Sequence, residues 1–227
     1  MAFHRIASCV FLLALIAGSL SAITNVTSVS QTNLARWSQP TAPSSVATQG
    51  GNITNANITG ASQLTTKWAD IYGSITVANI ILTSSGLTNN VYTWNATAAT
   101  KGDVCVSTAS TFPGPTLSSA NVTDINTVWS LTTIDNATNT YNITLSNFNI
   151  SGSVISSVNA SDLQGLSSFF DAAIFNGTTG SKGNYAFCTS INSTGKNYNN
   201  VTANYELLVP TTPGGTDTYN FYMEIQG

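Results

Sequence analysis

An all-β, antiparallel sandwich is the fold class this sequence predicts, and three observations carry it. Between Thr65 and Ser107, three or four segments rich in β-branched and aromatic residues follow one another across connections too short for crossover helices. Near the end of the chain, Tyr205–Val209 and Tyr219–Ile225 alternate apolar and polar residues around a turn over Pro210–Gly215, and read as a hairpin. Only one stretch, 161–175, reads as a helix. The arrangement expected is Ig-like or jelly-roll-like, as one sandwich or two small β domains, with an extended N-terminal tail; 227 residues suffice for a sizeable core.

Taken in order, residues 1–22 read as a secretory signal peptide. His4 and Arg5 form the polar start, Ile6 to Leu20 the apolar middle, and Ser19–Ala22 the small residues for cleavage. Ile6–Cys9 matches a lipoprotein-type pattern but precedes the apolar run it would have to follow, so the match is accidental. No later stretch approaches the roughly 20 apolar residues of a membrane span. The mature chain is therefore expected to be secreted and extracellular, with no membrane span.

Residues 23–37 form a semi-apolar tail, with Ile23, Val26, Val29, Leu34 and Trp37 at a spacing that fits neither a strand nor a helix cleanly. Residues 38–51, rich in Pro, Ser and Gly, read as a linker. The body is then 52–227.

Within the body, Ile75–Ile81 reads as a strand covered on both sides, Ser84–Gly86 and Asn89–Asn90 as turns, Val91–Trp94 as a second strand, and Lys101–Asp103 as a turn into Val104–Val106. Phe112–Pro115 is a rigid turn, and Thr127–Leu131 a short apolar patch around Trp129. Tyr141, Ile143 and Leu145 share one strand face, and Phe148–Ile150 continues with a shifted phase that predicts a bulge or turn. Ser161 as N-cap, Asp162 in the first turn and a stripe of Leu163, Leu166, Phe169 and Phe170 predict the helix. Tyr185–Cys188 is a further strand.

Cleavage after residue 22 removes His4, the sole histidine, and leaves five basic residues against nine acidic ones. Without imidazole, Ser–His–Asp and Cys–His sites and the usual zinc sites are excluded. Asp70, between Trp68 and Tyr72, is the best candidate for a sugar-binding or catalytic carboxylate, yet no second acid pairs with it by spacing. Asp124 and Asp135 could donate oxygen ligands to calcium, without the spacing of a known loop. Lys67 or Lys101 could supply an intramolecular Lys–Asn bond if buried. Five scattered basic residues exclude a nucleic-acid stripe. The expectation is a protein that is not an enzyme and needs no cofactor.

Cys105 and Cys188 remain after cleavage, in a chain bound for a compartment where disulfides persist. A bridge between them would close a loop of about 84 residues, for which chain entropy gives roughly 4–5 kcal/mol.

Charged residues make up 7% of the chain, against roughly 25% in an ordinary soluble domain. Something else must solvate it. The motif N-x-[ST] occurs twelve times, at Asn25, Asn52, Asn57, Asn95, Asn121, Asn136, Asn142, Asn149, Asn159, Asn176, Asn192 and Asn200. Glycans on these would supply the missing hydrophilic layer. In the strand after Tyr141, Asn142 would point away from Tyr141 and Ile143. Few titratable groups also predict a fold that tolerates strong acid.

Several residue patterns together resemble secreted archaeal surface proteins, above all the subunit of the cell-surface filaments called threads. These are Trp68-x-x-x-Tyr72-Gly73-Ser74-Ile75, Val91–Trp94, Gly102–Cys105, Asp135 with Thr138 and Thr140, and the ending Leu207–Pro210 through Tyr219–Glu224. The resemblance runs from about residue 50 to the end. It implies a glycosylated sandwich subunit that forms a homopolymer, each N-terminal tail filling a groove of the next copy by donor-strand complementation. Residues 23–37 would be the donor, since backbone bonds give affinity and alternate side chains fill pockets. The rival expectation is a monomeric or lattice-associated surface glycoprotein or adhesive binding module.

Overall fold

The structure is a computed structural model. It describes residues 24–26, 28–29, 65–76, 80–83, 90–94, 101–113, 116–150, 152–163, 168–177 and 180–225. The leading segment 1–22, the linker 38–51, Ile23, Leu34, Trp37 and Leu166 lie outside these residues.

The fold is all-β and antiparallel, a sandwich-like packing of a large sheet against a small one. Twelve strands are present among the described residues: β1 (Thr24–Asn25), β2 (Trp68–Gly73), β3 (Ile80–Thr83), β4 (Asn90–Trp94), β5 (Gly102–Ser107), β6 (Leu117–Ser119), β7 (Ile143–Ile150), β8 (Ser153–Asp162), β9 (Phe170–Asn176), β10 (Tyr185–Ser190), β11 (Tyr205–Pro210) and β12 (Asn220–Ile225). The large sheet runs β1-β12-β5-β10-β9-β8-β7, with β6 paired to β9. β2 and β11 form a second sheet, and β3 and β4 a third ladder. The Thr65–Ser107 stretch thus yields four strands in three sheets, and the organising centre is β5-β10-β9. Ile75 lies outside the strands, its N–H bonded to Asn204 Oδ1 at 2.8 Å.

Centrality follows from burial. β10 is Tyr-Ala-Phe-Cys-Thr-Ser with all but its last residue buried, and β5 is buried from Asp103 to Ser107. Strands buried on both faces read as near-continuous apolar runs, which is why alternation is faint here. Alternate residues feed two cores. Val104, Val106, Ala173, Tyr185 and Phe187 meet Leu207 and Val209 of β11, Trp129 and Tyr141 on one side. Cys105, Ala172, Ile174, Ala186, Cys188 and Tyr222 meet Phe148, Ile150, Ile155 and Val158 on the other.

Cys105 and Cys188 sit directly opposite each other on β5 and β10 and are bridged, with S–S 2.06 Å and Cα–Cα 4.1 Å. The cross-link joins the two central strands.

The described residues of 161–175 form no α-helix. Ser161 and Asp162 end β8, Leu163 N–H donates to Phe169 O at 3.1 Å, and Phe170–Asn176 is β9. Ladders to β8 and β10 outweigh the weak local preference of Ala172 and Ala173 for helix. Small side chains are needed there because Ala172 lies opposite Cys188.

The helices stand elsewhere: α1 (Val122–Trp129) and α2 (Ala137–Thr140). Asn121 caps α1, its Oδ1 accepting Thr123 N–H at 2.9 Å, and Ser130 closes it in the left-handed region at φ 55°. Ile125 and Trp129 point into the core, where Trp129 makes edge contacts with Tyr185 and Phe187 at 5.6 and 5.7 Å. Asn136 caps α2 by the same rule, from Asn139 N–H at 3.0 Å.

The two C-terminal strands do not form a hairpin. β11 pairs with β2, whereas β12 pairs with β5. The connection between them crosses from the small sheet to the large one. It is held by Asp217, whose carboxylate takes Lys182 Nζ at 2.5 Å and Thr212 N–H at 2.7 Å. Nor is there a bulge at Phe148: the β7–β8 pairing runs without slip from Ile143↔Ala160 to Ile150↔Ser153. The buried positions change parity where Ser157 adopts φ 54° and the Ser146–Ser157 pair is absent from the register.

Replacing both Cys105 and Cys188 by Ala should lower unfolding free energy by about 2–5 kcal/mol. Urea unfolding monitored by tryptophan fluorescence, with wild type and variant at equal concentration, measures this.

Candidate functional site

β12 is paired on both of its sides. Its inner side is locked to β5 over six residues, from Asn220↔Ser107 to Ile225↔Gly102. Close approach explains Gly102: a Cβ there would lie 1.9 Å from Glu224 O, and its φ of 126° disfavours any side chain. On the outer side, β1 adds two residues in antiparallel register, Thr24↔Met223 and Asn25↔Tyr222. Val26 N–H continues the ladder to Phe221 O at 3.2 Å.

That register sets Val26 opposite Phe221, and both are half-buried. Phe221 and Ile225 also pack against the first core. Val29 is 55% exposed, so in this arrangement it fills no pocket. Of the five apolar tail residues, the structure thus brings Val26 to the sheet and leaves Val29 outside.

Behind this edge lies a buried carboxyl. Asp103 of β5 stands opposite Glu224 of β12 and opposite Ser190 of β10, whose hydroxyl donates to it at 2.8 Å. Burial first, and then the Glu224 carboxylate, push Asp103 up to about 7 against the lowering effect of Ser190. Asp171 on β9 lies deeper. Tyr141 Oη is 2.7 Å from Leu208 O and 3.1 Å from Asp171 Oδ2, which also takes Leu208 N–H at 3.1 Å. Burial holds the Asp171 carboxyl well above the ordinary range despite these neighbours. The Tyr141 hydroxyl reaches both acceptors, the Leu208 carbonyl at the shorter distance, and Asp171 Oδ2 is thus approached by both the phenol and the Leu208 N–H.

Asp70 is exposed on β2, beside Tyr72 and two residues from its neighbour's buried Glu206 in the ladder. Desolvation of its inner side, then Glu206, push it up to about 7; contact with solvent moderates such a shift. The sequence showed no partner acid because Glu206 arrives from β11. Tyr72 and Tyr198 meet edge to face at 5.5 Å beside it.

Other candidates are dispersed. Asp124 lies in the first turn of α1, and Asp135 accepts Thr65 Oγ1 at 2.8 Å. Among the described residues no three acidic, Cys or His side chains converge on a metal position. Lys67 is buried, but its ammonium donates to Thr132 O, to Thr133 Oγ1 at 3.3 Å and to Asp135 O at 3.2 Å. Those acceptors secure the loop between α1 and α2, and none is an Asn side chain. Lys101 is exposed.

The sequons divide by environment. Asn121, Asn142, Asn149 and Asn200 are exposed; Asn136, Asn159, Asn176 and Asn192 are half-buried. Asn25 lies in β1, while Asn52, Asn57 and Asn95 fall outside the described residues. No helix among the described residues is long and apolar enough to cross a membrane.

No family model matches this chain, and neither a curated protein nor a solved structure matches it.

The buried acids set a pH dependence. A carboxyl whose folded value is raised binds its proton more tightly folded than unfolded, so stability is greatest below about 4 and falls as pH rises toward 7. Chemical denaturation midpoints should therefore be higher at pH 4 than at pH 8, and Asp103→Asn should flatten the difference.

Proposed function

We propose that this chain is the structural subunit of an extracellular cell-surface filament, non-enzymatic, growing head to tail as residues 23–37 of one copy pair with β12 of the next. The contact that carries the reading is β1 on the outer side of β12. An edge that accepts Thr24–Val26 from its own chain offers the same donors and acceptors to a second copy. Exchanging an identical element requires no new interface chemistry, and a head-to-tail contact that does not close gives an open filament.

Composition supports the separation of tail and body. Residues 38–51, rich in Pro, Ser and Gly, read as a linker between the tail 23–37 and the body. A long tether weakens the advantage of pairing within one chain over pairing between chains. In a filament the local concentration of neighbouring edges is high, which favours exchange further.

An exterior setting is supported by the disulfide between β5 and β10, by the leading segment 1–22 and by twelve sequons in a chain with 7% charge. N-linked glycans would act as the solvating layer. The competing reading, a monomeric or lattice-associated surface glycoprotein or adhesive module, draws on the same contact closed within one chain.

Electron microscopy of secreted full-length chain and of a variant lacking residues 23–37 separates the two. Filaments are expected from the first and none from the second. Single dispersed molecules of full-length chain at high concentration would sink the filament reading.

A further inference from the structure

The large sheet has a second edge. β7 pairs with β8 along its whole length, and among the described residues no strand pairs with its other side. An open strand of eight residues is a template for another chain, and proteins ordinarily blunt such edges with Lys, Pro, a bulge or short length. β7 reads Ile-Thr-Leu-Ser-Asn-Phe-Asn-Ile, with neither charge nor proline, and its ladder has no slip. Val154, opposite Asn149, is 65% exposed and adds apolar surface.

Two sequons bracket this strand. Asn142 immediately precedes it and Asn149 is its next-to-last residue, roughly 23 Å further on at the usual rise per residue. Seven residues apart on a flat strand, the two would lie on opposite faces. Here both are exposed, because burial changes parity along the strand: Ile143 and Leu145 are half-buried in its first part, Phe148 and Ile150 buried in its last. Elsewhere the fold uses the sequon amide itself. Asn159 Nδ2 donates to Ala120 O at 2.8 Å, Asn136 Nδ2 to Thr133 O at 2.6 Å and Asn192 Nδ2 to Ser168 O at 3.1 Å. No such bond ties the amides of Asn142 and Asn149 among the hydrogen bonds of the described residues.

We propose that N-glycans on Asn142 and Asn149 guard the β7 edge, preventing side-by-side strand pairing and directing strand addition to β12. The inference rests on reading these sequons as glycosylated. A bulky hydrophilic glycan at each end blocks the close approach, roughly 4.8 Å between strands, that a second β7 would need. Sugar thus replaces the charge that this strand lacks.

The test uses full-length chain secreted by a host that glycosylates it. Glycopeptide mass spectrometry should find both sites occupied. The double variant Asn142→Gln, Asn149→Gln should associate side by side, raising the weight-average mass by about twofold or more, as pairing of two edges requires. Adding Thr144→Lys and Ser146→Lys, at exposed positions of β7, should return the mass to that of the wild type, which they would not do for a misfolded chain. An unmodified Asn142 or Asn149, an unchanged mass in the sugar-free variant, or association that the lysines leave unaltered would each overturn the proposal. Growth through the tail is read separately as filament length, so absence of filaments with intact side-by-side association counts against the subunit reading alone.

Discussion

The structure depends on a constraint of the backbone: each N–H and C=O of a strand must find a partner or water, and a strand at the edge of a sheet has a full row of them on one side. In this chain the strand in question is β12. Its inner row is satisfied by β5, with Gly102 allowing the two backbones to close up beside Glu224. Its outer row meets Thr24, Asn25 and Val26. That one ladder links the N-terminal strand to the last one, and under the filament reading it is where a second copy would substitute for the first.

Scarcity of charge shapes the rest. With so few ions, several of the acids are nonetheless buried: Asp103 between β10 and β12, Asp171 between β9 and β11, and Glu206, which accepts Tyr198 N–H at 2.9 Å. Buried carboxyls are tolerable when neutral and costly when ionised. A fold built in this way gains from acid instead of losing to it, which matches a surface that relies on Ser, Thr and Asn. The same economy leaves β7 without a lysine.

Much of the fold was legible where local chemistry decides. Alternation marks Tyr205–Val209 and Tyr219–Ile225 as strands, and the two cysteines beyond the leading segment mark a bridge that does join β5 and β10. Partners were not legible. Alternation says that a segment is extended, not which strand it meets, so β11 and β12 were read as neighbours although they belong to different sheets. Phe169 and Phe170 fit a helical stripe equally well until ladders to β8 and β10 are counted. Asn121-Val-Thr and Asn136-Ala-Thr conceal helix caps because the letters of a sequon and of an N-cap coincide. At the candidate site, the sequence marks Val26 as an apolar residue of the tail, while its place beside β12, and the meeting of Asp70 with Glu206, depend on contacts far apart in sequence.

The most direct measurement is covalent capture of the β1–β12 register in assembled material. With Thr24→Cys and Met223→Cys, positions that face each other across the ladder, mild oxidation followed by denaturing, non-reducing electrophoresis reports which chains were joined. Exchange between copies predicts a ladder of covalent oligomers that collapses to one band on reduction. A single band of monomer mass, its two new cysteines linked within one chain, would contradict the account.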